Sequence, residues 1–230
     1  MFKRSVAMAL VAGVLSLQAQ AAQVYANNFD SPATVAAGVV ATFTGDGALQ
    51  GTTAPYSPTY GQIYRSNSDS VQTLLTLTNL PAHGTVDIDF LMAFLDSWDS
   101  NNGAPAPDNL DLYVDGVKRA TYTFNTASGT NVAYGGGTLL AQGVQFDVNL
   151  FYSDAIVDMS TDPGLRFAHT SSTLTVGFIA SGAGWQGGTD EAYGIDNLVV
   201  SVFSAPPVPE PGTALLMAGG LLLLAARRRR

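Results

Sequence analysis

The chain has 230 residues, no cysteine and a formal net charge of −8. Between residues 22 and 207 it carries 17 acidic and only four basic residues, a balance that suits divalent cations and neutral sugars. It disfavours nucleic acid and anionic lipid, because phosphate contacts need Lys and Arg, and the missing cysteine excludes disulfides, thiol nucleophiles and cysteine metal sites.

The first 21 residues have the pattern of a secretory signal peptide. Lys3 and Arg4 form a basic start, residues 6–17 form an apolar stretch, and Ala19, Gln20 and Ala21 form a small-residue cleavage site. The apolar stretch is too short for a membrane helix. We therefore predict a signal peptide over 1–21 and cleavage after Ala21.

The middle of the chain alternates apolar and polar residues in the manner of β-strands. Residues 86–94 are apolar at every second position, and their other face also becomes apolar from Leu91, which predicts a central strand. Residues 110–114, the turn pair Asp115 and Gly116, and residues 117–124 predict a hairpin. Further strands are predicted at 23–29, 35–44, 71–80, 145–152, 174–180 and 193–203, with polar, glycine-rich loops at 45–60 and 125–142. The fold is predicted to be all-β, a single jelly-roll-like β-sandwich over 22–203.

Acidic and amide side chains crowd the predicted loop between residues 94 and 110. Calcium takes six to eight oxygen ligands from such side chains and from backbone carbonyls, although Asp and Asn also favour turns by themselves. The spacing does not match the helix-flanked calcium loop, which needs a glutamate at its twelfth position. A structural calcium ion is the prediction here, and simple turn chemistry is the alternative.

A second acidic cluster opens the last predicted strand. Because the last strand of a sandwich often lies beside an early one, Glu191 or Asp196 is expected to meet the Asp96 loop. The alternative is that Asp196 and Asn197 cap backbone groups where the strand begins. The predicted calcium ligands are Asp96, Asp99, Asn101, Asp108, Glu191 and Asp196. The Trp-Asp loop, the Asp-Gly hairpin and the segment 191–197 together resemble exported bacterial sandwich domains with lectin-like or carbohydrate-binding-module-like folds.

Two tryptophans, Trp98 and Trp185, lie in predicted loops. Sugar rings stack on aromatic faces, so both are candidate ligand-binding residues, with packing in the core as the alternative. Catalytic signatures are weak, since the sequence has no Gly-x-Ser-x-Gly elbow and no zinc motif. Glu191 is the only glutamate between residues 22 and 207, so a glutamate pair for glycoside hydrolysis is excluded and only an Asp pair remains. An enzyme is not predicted.

The carboxyl end has three parts in a fixed order. A proline-rich spacer over 204–211 ends in Val208, Pro209, Glu210 and Pro211, an apolar run follows, and the chain closes with four arginines. This order resembles the PEP-CTERM sorting tail of Gram-negative bacteria. The resemblance implies a transmembrane sorting helix over 212–230, transient anchoring in the inner membrane and processing by an exosortase. The alternative is an ordinary membrane anchor, although 15 apolar residues reach only about 22 Å of the roughly 30 Å of hydrocarbon.

The predicted function follows from these signals together. We expect an exported protein of the cell envelope or extracellular matrix that binds or scaffolds extracellular polysaccharide. A purely structural surface protein without a ligand is the first alternative, and an Asp-dependent polysaccharide hydrolase is the second.

Overall fold

The computed structural model describes residues 21–101, 105–130, 132–148, 152–204 and residue 227. The predicted signal peptide up to residue 20, the Pro-Glu-Pro motif and the predicted sorting helix apart from Arg227 lie outside this part of the chain. Within the described residues, no helix is long and apolar enough to cross a membrane.

The regular secondary structure of the described chain is almost entirely β-strand. They are β1 (Ala21–Asn27), β2 (Thr34–Val35), β3 (Val40–Thr44), β4 (Ala48–Gly51), β5 (Gln62–Ser66), β6 (Thr73–Thr78), β7 (Thr85–Asp96), β8 (Asn109–Val114), β9 (Val117–Tyr122), β10 (Thr138–Val144), β11 (Asp154–Asp158), β12 (Arg166–Ala168), β13 (Thr173–Ser181) and β14 (Glu191–Phe203). One short helix, α1 (Ser57–Tyr60), and two 3-10 turns (Met159–Thr161 and Pro163–Leu165) complete the elements.

The strands form two antiparallel sheets. The larger, nine-stranded sheet runs in the order β10-β11-β7-β14-β1-β2, with β12 on β7 and the β4–β5 pair on β14. The smaller sheet runs β3-β6-β13-β8-β9. The main core lies between them, where Phe90 of β7 meets Phe178 of β13 with ring centroids 5.0 Å apart. This arrangement confirms the predicted all-β sandwich.

The centre of the larger sheet is the long pair β7–β14. Its register runs from Glu191 opposite Asp96 to Phe203 opposite Thr85, and β11 and β12 flank β7 on the other side. From Leu91 onward both faces of β7 are buried. The outer face is covered by a second apolar cluster in which Phe146 packs against Tyr56 and Tyr60. The sequence prediction of a central strand is therefore confirmed.

The prediction of a strand over 145–152 is wrong. Its described residues form a loop between β10 and β11. The backbone N–H groups of Phe146 and Asp147 donate to the Asp154 carboxylate at 2.5 and 3.1 Å. These bonds bend the segment around a carboxylate instead of pairing it with a strand. The loops predicted at 45–60 and 125–142 are interrupted by β4, α1 and the start of β10.

Candidate functional site

One end of the sandwich collects most of the predicted site residues. At this end β7 finishes at Asp96 and β14 begins at Glu191, directly opposite each other. The loop after β7 is fastened there, since the Ser97 N–H donates to the Asp190 carbonyl at 2.9 Å. We call the region around Asp96, Asp108 and Glu191 the acidic end.

The first group of carboxylates at the acidic end is an aspartate triad of Asp96, Asp147 and Asp154. One oxygen of each side chain lies within 4.8 Å of the others, and all three side chains are buried. Asp154 is held by three backbone donors, the N–H groups of Asp96 at 2.9 Å, Phe146 and Asp147. The Asp154 carboxylate thus ties the 146–147 loop to the end of β7.

Arg65 on β5 supplies the positive charge of the triad. Its guanidinium donates to the Asp96 carboxylate at 3.1 Å and to the Asp147 carboxylate at 3.2 Å. Burial and the charges of Asp147 and Asp154 raise the pKa of Asp96 to about 6, although Arg65 pulls it down. One guanidinium therefore compensates three buried carboxyl groups only in part.

The second group is the pair of Asp108 and Glu191, which we call the carboxyl pair. One oxygen of Asp108 accepts the Asp99 N–H at 2.7 Å, and one oxygen of Glu191 accepts the Gln186 N–H at 2.5 Å. The other oxygen of each, and the Ser100 hydroxyl, have no hydrogen-bond partner among the described residues. Burial raises the pKa of Glu191 to about 7, with further contributions from the charges of Asp108 and Asp190.

The pKa of Asp108 is raised for the same reasons as that of Glu191. Burial raises its pKa to about 6, and the charges of Asp99 and Asp190 add to the shift, against the hydrogen bond from the Asp99 backbone. Both members of the carboxyl pair are thus harder to ionise than carboxyl groups in water.

Two predicted ligands stand apart from these groups. Asp196 pairs with Leu91, five residues along β14 from Glu191, which is about 17 Å at strand spacing. Glu191 therefore meets the Asp96 loop, and Asp196 does not. The Asp196 carboxylate accepts the Asn197 backbone N–H at 2.7 Å, as the capping alternative requires. Asn101 is exposed at the surface of its loop.

The two tryptophans pack against each other at the acidic end, with ring centroids 5.2 Å apart. Trp98 is 0 % exposed, and its indole N–H donates to the Ala192 carbonyl at 2.7 Å. A stacking contact between Trp98 and a sugar does not fit this position, because the ring belongs to the core. Trp185 is half-buried and covers Trp98 from the outside.

A cleft of ≈ 570 Å³ opens beside these groups. Its walls come from the loop after β7, the loop before β14 and the segment around residue 145. The lining residues are Ser97, Trp98, Asp99, Pro105, Thr126, Ala127, Gln145, Tyr152, Ser153, Gln186 and Asp190. The cleft is thus concave, polar and free of Lys and Arg in its described lining.

Sequence reasoning missed Asp147, Asp154 and Arg65. A signal for Asp154 exists, since an acidic residue directly precedes the apolar run 155–157. Arg65 is the one Lys or Arg between residues 22 and 117, and such an isolated arginine beside apolar residues indicates a buried partner. Neither signal identifies which carboxylates it meets.

Comparison with known protein families identifies the tail of the chain. Residues 207–230 match the PEP-CTERM protein-sorting motif. The chain carries a PEP-CTERM sorting motif. This match confirms the resemblance drawn from the Pro-Glu-Pro sequence, the apolar run and the arginines, and it indicates an exported protein that is sorted by an exosortase. No curated protein matches the sequence.

Solved structures similar to the chain include domains that act on or bind carbohydrate. The catalytic domain of Agl-KA is 17% identical over 88% of this chain, with a TM-score of 0.36. The carbohydrate-binding module CBM36, in complex with calcium and xylotriose, is 11% identical over 72% of this chain and 98% of its own, with a TM-score of 0.31. The catalytic domain of a GH87 alpha-1,3-glucanase in complex with nigerose is 10% identical over 76% of this chain, with a TM-score of 0.26.

The chain spans only about a third of the two catalytic domains, 32% of the Agl-KA chain and 30% of the glucanase chain. Similarities with TM-scores of this size decide neither the fold nor the ligand.

Proposed function

We propose that the protein is exported, sorted at the membrane and then binds extracellular polysaccharide through the cleft at the acidic end. The observation that carries this proposal is the cleft itself, a concave polar surface whose size lies in the range of small-ligand sites. It lies among loops that the rigid pair β7–β14 supports, and such loops are where binding residues concentrate.

The lining of the cleft suits a sugar polymer without negative charge. Tyr152 is 54% exposed and offers a ring face for a pyranose. The exposed amides of Gln145 and Gln186 can donate to and accept from hydroxyl groups, and the carboxylates of Asp99 and Asp190 can accept from them. The Asp190 carboxylate is held in place, because the Ser97 hydroxyl donates to it at 2.8 Å. A uronic-acid polymer would be repelled by the two carboxylates.

The proposed role is binding without catalysis. The carboxyl groups whose pKa burial raises at this end, including Asp108 and Glu191, are buried. They do not line the cleft, so they do not touch a ligand held there.

The tail supports the proposed location. We expect transient anchoring in the inner membrane through the apolar run, cleavage near Glu210 and final placement in the cell envelope or the extracellular matrix. Replacing Pro209, Glu210 and Pro211 by alanine should leave the protein in the membrane fraction at its unprocessed mass. Secretion of this variant at the processed mass would contradict the proposed sorting.

A structural calcium ion at the acidic end is part of the proposal. Buried carboxylate oxygens without a partner and the surplus of negative charge fit a hard divalent cation, which prefers oxygen ligands. Calcium should therefore raise the melting temperature of the protein.

The binding proposal is tested on a glycan array with the full chain in mild detergent, with calcium and with EDTA. We expect retention of a neutral polysaccharide and loss of retention in Tyr152→Ala. Tyr113→Ala is the matched control, because Tyr113 lies on β8 toward the opposite end of the sandwich. If no glycan is retained in either buffer, polysaccharide binding is wrong. Release of reducing sugar from native matrix would instead support the hydrolase alternative.

A further inference from the structure

We infer that a divalent cation of the calcium class is bound by the carboxyl pair of Asp108 and Glu191 together with Ser100, and not by the aspartate triad. This inference rests on the proposed structural calcium and goes beyond it by naming the ligands.

Three oxygens of this group have no hydrogen-bond partner within the described chain. They are Asp108 Oδ1, Glu191 Oε1 and Ser100 Oγ, and all three are buried. The residues themselves are 0 % exposed. Leaving such groups unpaired in the interior costs free energy. A cation that these oxygens ligate removes the cost for all three at once.

One loop contacts both members of the carboxyl pair. The loop of residues 182–190 contacts both members: Gly187 N–H approaches Glu191 Oε2 at 3.4 Å, and Gly184 lies against Asp108. A Cβ at position 184 would come within 2.7 Å of Asp108 Oδ1. Because position 184 has no side chain, the 182–190 loop packs closely against this oxygen.

Ser100 joins the same group through the backbone. The Asp108 N–H donates to the Ser100 carbonyl at 3.0 Å, and Ser100 has a φ of 56°, a left-handed conformation that is uncommon for a non-glycine residue. The chain thus turns sharply at Ser100 beside Asp108, so a hydroxyl and a carboxylate begin from neighbouring backbone positions.

The two groups of carboxylates differ in how their charge is balanced. The triad already has a cation, because Arg65 donates to Asp96 and Asp147 at 3.1 and 3.2 Å. Asp96 Oδ1 is unpartnered as well, but the second oxygen of Asp96 is paired with Arg65. No ion pair with Lys, Arg or His reaches Asp108 or Glu191 in the described part of the chain. The two charges of the carboxyl pair match one divalent ion.

The location of the pair gives the ion a second effect. Ser97 and Asp99 precede Ser100 in one wall of the cleft, and Gln186 and Asp190 belong to the other wall. A cation held between Asp108 and Glu191 joins these two walls from behind. Removing it is therefore expected to weaken glycan binding as well as stability.

The test measures calcium binding to the full chain in mild detergent by calorimetry. Terbium luminescence excited through tryptophan is the second readout, since both tryptophans lie at the acidic end. The variants are Asp108→Asn and Glu191→Gln in the pair and Asp147→Asn in the triad. Asp69→Asn, an exposed acid with the same change of charge, is the control.

We expect one calcium ion per chain. In both pair variants the affinity for calcium should fall by about tenfold or more. Asp147→Asn and Asp69→Asn should bind as the unchanged chain does. Loss of binding in Asp147→Asn with normal binding in the pair variants would place the ion at the triad and overturn the inference. Absence of calcium binding in the unchanged chain would overturn the inference and the proposed calcium, while the glycan array still decides polysaccharide binding.

Misfolding is separated from loss of a ligand by unfolding in EDTA. Glu191→Gln removes a buried charge and keeps the side-chain shape, so in EDTA it should be at least as stable as the unchanged chain. In calcium it should be less stable than the unchanged chain. If the stability difference between the variant and the unchanged chain is the same in EDTA and in calcium, Glu191 is not a ligand.

Discussion

Asp196 makes the sharpest test of the electrostatics of this fold, because it is a buried carboxyl group without an ion pair to a basic residue in the described structure. It is 1 % exposed on β14, and burial, assisted by the charge of Asp30, raises its pKa from 3.8 to about 7. A group with a raised carboxyl pKa binds a proton more tightly in the folded chain than in the unfolded chain. We therefore predict that Asp196→Asn stabilises the protein at alkaline pH.

The sign follows from proton linkage. Below about pH 4 the carboxyl group is protonated in both states and carries no penalty. Between about pH 4 and pH 7 the unfolded chain ionises first, so the stability of the unchanged protein falls as pH rises. Above about pH 7 the group is ionised in both states and the whole penalty is present.

The magnitude follows from the size of the pKa shift. A change from 3.8 to about 7 corresponds to about 4 kcal/mol of unfolding free energy above pH 7. Asn keeps an acceptor for the Asn197 backbone N–H but loses the one for the Asn197 side-chain amide, now 3.2 Å from the carboxylate. That loss costs about 1 kcal/mol. The net gain expected at about pH 8 is about 3 kcal/mol, or roughly 6–12 °C in melting temperature.

The assay is urea unfolding of the full chain in EDTA at about pH 8 and about pH 4.5, with Asp69→Asn as the control for a change of charge alone. The gain from Asp196→Asn should nearly vanish at the lower pH. A variant that is neutral or destabilised at about pH 8, or whose gain does not depend on pH, would refute the reasoning.

Three further predictions concern the acidic end. Trp98→Ala should lower the unfolding free energy by about 3–5 kcal/mol in urea titrations, because it opens a cavity and removes the hydrogen bond to the Ala192 carbonyl; a loss below about 1 kcal/mol would place the ring outside the core. Arg65→Ala should cost about 3–5 kcal/mol at neutral pH, since it leaves Asp96 and Asp147 buried without their cation, and the cost measured by the same titrations should shrink as pH falls toward 5. Binding of a neutral glycan, measured by calorimetry, should change little between low and high salt, whereas a steep loss of affinity with salt would indicate an ionic ligand.

The sandwich is predictable from the sequence because its main signal is local. The alternation of apolar residues in β7, the Asp115–Gly116 turn and the run in β14 each depend on neighbours a few positions apart. The register of β11 on β7 has no local signature of this kind. That register puts Ala155 opposite Phe94, and it is what carries Asp154 to the end of β7.

The candidate site is likewise predictable from the sequence only in part. Strand order in sandwiches predicts that the start of the last strand meets the Asp96 loop, and Glu191 does lie opposite Asp96. The aspartate triad depends on a loop that bends around Asp154, while the sequence there predicts a strand. Composition likewise marks Trp98 as an aromatic residue in a loop, but only packing shows that its ring is fully buried.

The pairing of the first strand with the last has a topological consequence for how the protein meets its surroundings. Ala21 of β1 lies opposite Phe203 of β14, so both termini of the folded body emerge together. Glu191 is at the far end of β14, about 40 Å away along the strand. Proteolytic trimming on either flank is therefore expected to leave the loops of the acidic end untouched.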